Sequence, residues 1–237
     1  LKVQRLRVTF SRGDDMKYVT HLDMMRFWER ALRRAEIPVF YSEGFSPHPQ
    51  IALASPLAVG VTSECELLDV FLERRITPRA FAEAIAAQLP PAVRVLDVRE
   101  AGLTLPSLQA EVRAAEYEVD APAPEGFDAE TAVRRMLDAD SIPWEHKRED
   151  DVKSYDLRPL VLELAVAPRS GNRDPVSGAV TLRMLLRNDS TAGAGRPEQV
   201  ALALGLGTPT RIHRMRLLLA DRSPARDAIR KHGKFAG

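Results

Sequence analysis

IALASPLAVGVTSECELLDVFLE, residues 51–73, is the stretch on which the fold turns. It reads as two strands in direct succession, 51–61 and 64–73, joined by a short turn at Thr62 and Ser63. Pro56 lies inside the first strand and has no N–H to give a ladder, so that strand belongs at an edge or at a bulge. On the N-terminal side, Thr20 reads as a helix N-cap with Asp23 three residues on, a capping box with Asp in the usual place of Glu or Gln. Leu22, Met25, Trp28, Leu32 and Ala35 recur at helical spacing as the expected buried stripe, and the helix stops before Pro38. On the C-terminal side, Thr77 and Pro78 open a second helix with Phe81, Ile85 and Leu89 as its apolar side. Strands at 2–10, KVQRLRVTF, and at about 92–99 complete the set. The order β-α-β-β-α-β is that of the split βαβ, ferredoxin-like unit.

The remainder follows a looser version of the same order. A strand is expected near 111–119, then the connector Ala121-Pro122-Ala123-Pro124, then a helix capped by Asp128 and carrying Val133, Met136 and Leu137. Strands near 141–148, 156–166 and 178–187 follow, the last two separated by a polar, flexible loop from Pro168 to Gly178. Gly195-Arg196-Pro197 opens a helix that ends at Gly205 or Gly207. A last strand covers about 210–219. The expected fold class is α+β, with two tandem ferredoxin-like units and antiparallel sheets. Residues 1–105 are the first unit, 106–221 the second, and 222–237 a basic flexible tail.

Composition narrows the function classes. The chain has 237 residues, 45% hydrophobic and 28% charged, as in a soluble folded protein. The one cysteine, Cys65, excludes an internal disulfide, a cysteine zinc finger and a self-contained iron–sulfur site. Its glutamate neighbours would raise its thiol pKa, so it reads as a small strand residue. No apolar run reaches the roughly 20 residues needed to span a bilayer, and no secretory signal opens the chain, so no membrane partner and a cytoplasmic location are expected. The start at Leu1 suggests a trimmed chain or a piece of a longer polypeptide. The net charge of +1 hides an uneven distribution. Residues 1–60 carry 9 basic and 6 acidic side chains, residues 205–237 carry 8 and 2, and the middle carries 17 and 25. If the two ends meet in the fold, they make a basic surface; otherwise arginine is simply abundant.

The densest polar constellation lies around the first helix. Tyr18, His21 and Asp23 enter it, and the loop from Tyr41 to Pro49 leaves it. His21 and His48 are candidate general acid–base groups. A helix of about 16 residues holds its two ends roughly 24 Å apart, so the two histidines need not meet. The alternatives are helix-start hydrogen bonding for His21 and a solvated loop position for His48. Pro47 and Pro49 stiffen the loop around His48, and Gly44 gives it backbone freedom. Phe45, beside Ser46, either stacks on a base or plugs the core. Arg26, Arg30, Arg33 and Arg34 form either a phosphate-binding stripe or a solvated face paired with Glu29. On the last strand stand Arg211, Arg214 and Arg216. The last two are expected to point the same way, opposite Met215 and Leu217, either toward an anion or as an ordinary strand edge. Nucleophile-elbow, Walker, H-E-x-x-H and dinucleotide motifs are absent, and the five histidines lack ligand spacing, so no metal site is expected.

Several motifs in order carry a family resemblance. Tyr18 to Arg26 reads YVTHLDMMR, Arg30 to Ala35 RALRRA, Gly44 to Pro49 GFSPHP, and Pro56 to Glu64 PLAVGVTSE, with Glu66 following. Later come Asp156-Leu157-Arg158-Pro159, Arg196-Pro197-Glu198 and the arginine-rich last strand. Together these are similar to the bacterial radical-SAM-linked proteins, a domain of unknown function. That domain occurs separately or fused behind a radical S-adenosylmethionine protein. The resemblance implies such a protein as partner, with the iron–sulfur cluster and S-adenosylmethionine expected only there. With one cysteine this chain lacks the C-x₃-C-x₂-C cluster motif, so no cofactor is expected in it and it reads as the linked domain, not the radical catalyst. The function expected is an accessory or substrate-binding protein that binds RNA through its arginines, Arg196 included, and the Gly44–Pro49 loop. The alternatives are a stand-alone RNA-processing or RNA-modifying enzyme using His21 and His48, and a ligand-free structural partner.

Overall fold

The structure is a computed structural model and describes residues 1–148, 151–168 and 178–220. The first half runs β1 (Gln4–Arg12), α1 (His21–Arg34), β2 (Ile51–Leu53), β3 (Thr62–Leu72), α2 (Pro78–Ala86) and β4 (Val93–Ala101). The second runs α3 (Leu108–Glu111), β5 (Val112–Pro122), α4 (Ala129–Asp138), β6 (Pro143–Arg148), β7 (Asp151–Asp156), β8 (Val161–Val166), β9 (Ala179–Asp189), β10 (Gly193–Ala194), α5 (Pro197–Ala203) and β11 (Arg211–Leu219). The architecture is mixed α/β with a mostly antiparallel sheet. The expected loop from Pro168 to Gly178 falls largely on 169–177, and the expected tail on 222–237; both lie outside the described residues.

Pro56 has the largest consequence for topology. The expected strand 51–61 stops at Leu53, so β2 covers β3 only from Leu68 to Val70. The Thr62 end of β3 is left with an open edge, and unpaired edges are costly. β11 fills it, pairing parallel to β3 with His213 opposite Thr62 and Arg214 opposite Ser63. Where two sheets were expected, nine strands therefore form one, in the order β10-β9-β5-β11-β3-β1-β4, with β2 on β3 and β8 on β9. β6 and β7 form a separate hairpin. Within this sheet β4-β1-β3-β2 and β11-β5-β9-β8 follow the same connection order, with antiparallel neighbours throughout.

Each half has its own apolar cluster. In the first, Leu6, Val8 and Phe10 alternate along β1 and meet Met24, Trp28, Ala31 and Leu32 of α1 and Phe81 and Ile85 of α2. Phe10 and Trp28 pack edge-to-face at 4.8 Å. The buried stripe of α1 is shifted from the one expected: Leu22 is exposed, while Met24 and Ala31 are buried. Trp28 sets the phase, because Met24, Ala31 and Leu32 lie at i−4, i+3 and i+4 from it. At 100° per residue Leu22 lies about 120° round the helix from Trp28. In the second cluster Ala115, Tyr117, Val119 and Ala121 of β5 pack with Leu182, Met184 and Leu186 of β9 and with Val133, Met136, Val200 and Ala201 of α4 and α5.

Helix starts are set locally. Thr20 Oγ1 accepts from the Asp23 N–H at 3.2 Å and donates to the Asp23 carboxylate at 2.7 Å. Thr77 caps α2 through the Ala80 N–H at 3.1 Å, and Asp128 caps α4 through the Thr131 N–H at 3.0 Å. These are the three caps the sequence predicts.

The other face of β1 is ionic and buried. Arg5 Nε and Arg7 Nε each donate to Asp69 at 2.8 Å, and Arg7 reaches Glu111 at 2.6 Å. Arg5 also donates to the carbonyls of Leu105 and Pro106 at 3.1 and 3.0 Å, which docks the connector between the halves. Removing one member of a buried pair leaves charge without a counterion, at a cost of about 3–5 kcal/mol. Asp69→Ala leaves the Arg5 guanidinium without a carboxylate and Arg7 with Glu111 alone, so it is expected to lower the urea midpoint of unfolding by a corresponding amount. A midpoint unchanged by this substitution would show that the network contributes nothing to stability.

Candidate anion-binding face and junction cleft

α1 presents a basic face to solvent. Arg26, Arg30, Arg33 and Arg34 are all exposed. Arg26 makes an i,i+3 contact with Asp23 at 3.4 Å, and Arg34 donates to the Gln88 carbonyl at 3.0 Å. Arg30 and Arg33 have no partner among the described residues, and Glu29 makes no ion pair with this stripe. Arg26, Arg30 and Arg33 stand at i, i+4 and i+7, within about 60° of one another round the helix. Ahead of α1, Tyr18 is exposed, with Lys17 Nζ 5.4 Å from its ring centroid.

The loop after α1 is a small stapled hairpin. Ser42 N–H donates to the His48 carbonyl at 2.9 Å, and His48 N–H donates to Ser42 Oγ at 3.0 Å. Tyr41 bridges Pro49, and Gln50 N–H donates to the Phe40 carbonyl at 2.8 Å. Gly44 sits at φ 125°, a conformation that side chains disfavour. Phe45 at the tip is fully exposed, so it does not plug the core, and Ser46 beside it is exposed too.

The two histidines are kept apart. His21 borders a small pocket with Phe10, Arg12, Met24 and Glu66. Its side chain makes no hydrogen bond among the described residues; Thr20 and Asp23 close the helix start instead. The His48 loop is tied to the other end of β3, where Phe71 N–H donates to the Gln50 carbonyl at 3.0 Å. Glu66 and Phe71 are five residues apart on an extended strand, roughly 17 Å.

The last strand differs from its expected geometry. β11 carries a bulge at Met215: Arg214 lies opposite Tyr117, while Arg216 lies opposite Glu116. Adjacent residues of β5 face opposite sides, so Arg214 and Arg216 do too, where the sequence alternation put them together. Arg214 is buried and bonded to Glu66 at 2.9 and 2.5 Å. Arg216 pairs with Glu116, and Arg211 with Glu118 at 2.7 Å and Asp120 at 3.6 Å. None of the three offers an uncompensated cation on an open strand face. A bulge and four long-range carboxylates are not visible in local sequence.

The joint between halves carries two clefts that sequence reading missed. One, of about 570 Å³, opens at the ends of β1, β3, β4 and β11 and is bordered by Arg12, Lys17, Thr62, Glu64, Arg94, Arg211 and His213. The other, of about 520 Å³, is bordered by Ser55, Leu57, Tyr117, Asn188, Arg196 and Glu198. The 55–64 segment runs between them and contributes to both, as does Ile212. In the first cleft Thr62 Oγ1 and His213 Nδ1 are 2.6 Å apart, and His213 Nε2 faces Glu64 at 3.9 Å.

Residues 5–194 match a family described as "Uncharacterized protein conserved in bacteria (DUF2344)". The chain belongs to this family. That description names no activity for DUF2344 and no radical enzyme as its partner. No curated protein matches the sequence. Among solved structures it is similar to a Cbf5-Nop10-Gar1 complex, at 12% identity and a TM-score of 0.46, over 91% of this chain and 49% of that one. It is similar also to an archaeal box H/ACA sRNP Nop10-Cbf5 complex, at 14% identity and a TM-score of 0.42, over 92% and 49%. The DUF2344 chain thus spans about half the length of these structures, and at such scores the likeness assigns it no function. Among the described residues no helix is long and apolar enough to cross a membrane.

Cys65 is half-buried, and burial, with a smaller contribution from Glu66 and Glu64, pushes its thiol above the ordinary range. Its thiolate is therefore scarcer at pH 8 in the folded chain than in the unfolded one. Modification by a disulfide reagent at pH 8 is expected to be slower than in urea and to accelerate as pH rises. Equal rates in folded and unfolded chains would contradict this.

Proposed function

We propose that this DUF2344 chain is an RNA-binding accessory protein, built of two ferredoxin-like units, that brings RNA to a radical S-adenosylmethionine partner. The observation that carries the RNA reading is the face of α1. Arg26, Arg30 and Arg33 are aligned and exposed there, and the last two lack any partner among the described residues. Unpaired guanidinium groups in a row suit successive phosphates. Beyond the C-terminal end of the same helix, the stapled loop presents Phe45 in the open, and an exposed ring suits sequence-tolerant base stacking. The two-unit reading, divided near residue 105, is supported by the repeated strand connection order and by the two separate apolar clusters. The partner rests on the motif resemblance, and it would hold the iron–sulfur cluster and S-adenosylmethionine.

The reading predicts a salt-sensitive gel shift with single-stranded RNA. Removing three phosphate contacts with Arg26→Glu, Arg30→Glu and Arg33→Glu together should weaken binding at least tenfold. It should also make the log–log salt dependence shallower by about two. Phe45→Ala should weaken binding without changing that slope. RNA affinity unaffected by the triple variant would remove the α1 face from the account.

A further inference from the structure

Four guanidinium groups are fully buried in the described structure, and three of them have a carboxylate. Arg5 and Arg7 meet Asp69, and Arg214 meets Glu66. The fourth, Arg12, donates only to backbone carbonyls: Met16 at 2.9 Å, Lys17 at 3.1 Å, and Val19. Arginine does not lose its proton in proteins, so Arg12 stays cationic at 2% exposure with no ion-pair partner. Burying a charge without a counterion is costly. Burial accordingly pulls its proton affinity down, with only the charge of Glu66 opposing from nearby.

Arg12 forms part of the wall of the 570 Å³ junction cleft, and further cations line the same space. Arg94, at the start of β4, is exposed and has no partner among the described residues. Lys17 is held by Asp14 at 3.2 Å on the rim. Thr62 adds a hydroxyl and, through its 2.6 Å contact with Nδ1, orients the His213 ring. We propose that the cleft binds a phosphate monoester, which supplies the counter-charge Arg12 lacks, with Arg94 and Lys17 closing on the anion from the rim. The ligand's phosphate is that of a free mononucleotide or of an RNA end. The site is separate from the α1 face and stands whether or not that face binds RNA.

The test is thermal unfolding against increasing inorganic phosphate, UMP and uridine, each compared with sodium chloride of equal ionic strength. Phosphate and UMP should raise the melting temperature saturably, and uridine should not. Arg94→Ala with Lys17→Ala, both exposed or on the rim, should fold and need at least tenfold more ligand for the same shift. Arg30→Glu with Arg33→Glu should leave the shift unchanged. A short RNA carrying a 5′-phosphate, compared with its 5′-hydroxyl form, then separates the two sources. A preference for the phosphorylated RNA over UMP assigns the site to RNA ends, and the reverse assigns it to nucleotides. No saturable shift beyond that of sodium chloride, or the same shift in the Arg94→Ala, Lys17→Ala variant, overturns the proposal.

Discussion

The structure depends on one buried ion pair, Arg214 with Glu66. Arg214 comes from the last strand of the second half and Glu66 from the central strand of the first. The guanidinium donates twice to the carboxylate and also reaches the Ser55 and Pro56 carbonyls at 3.3 and 3.4 Å. Burial works against that charge, but Glu66 and then Tyr117 outweigh it and hold Arg214 above its ordinary range. The pair sits where β2 ends early, so it occupies the gap that Pro56 creates. It fixes β11 against β3 in one register and joins two separately cored halves into one sheet. The clefts on either side of the 55–64 segment exist because of that joint.

The same ionic economy decides what is left for binding. Residues 1–60 carry nine basic side chains, but Arg5, Arg7 and Arg12 are inside the protein. The described part of the last segment does reach the first sixty residues, since Arg214 donates to the Ser55 and Pro56 carbonyls. Their meeting nonetheless gives no broad basic surface from the last strand, because each of its arginines is matched by a glutamate. Among the described residues, the outer face of α1 and the junction cleft are places where cations stand clustered without a full set of carboxylate partners.

What was legible in the sequence was local. Thr20, Thr77 and Asp128 cap helices through N–H groups three residues away, so residue type and spacing suffice to find them. The alternation of Leu6, Val8 and Phe10 marked β1 for the same reason. The phase of α1 was missed, because Leu22 is as apolar as Met24 and only packing around Trp28 tells them apart. Arg5, Arg7 and Arg214 look in sequence like surface arginines. Their burial depends on Asp69, Glu111 and Glu66, which are between 62 and 148 residues away. The Met215 bulge reversed the facing of Arg216, and a bulge of this kind carries no glycine or proline to announce it. For the candidate site, the α1 arginines and Phe45 could be named from the sequence but their exposure could not be decided there, and the clefts, built from residues far apart in the chain, could not be seen.

Backbone hydrogen exchange on Arg214→Ala tests most directly whether the ion pair fuses the two halves. The account predicts that amides at the β3/β11 joint, residues 62–63 and 213–214, lose protection, while Leu68–Leu72 in the first half and Leu182–Leu186 in the second keep theirs. Protection at the joint equal to that of the parent chain would contradict it.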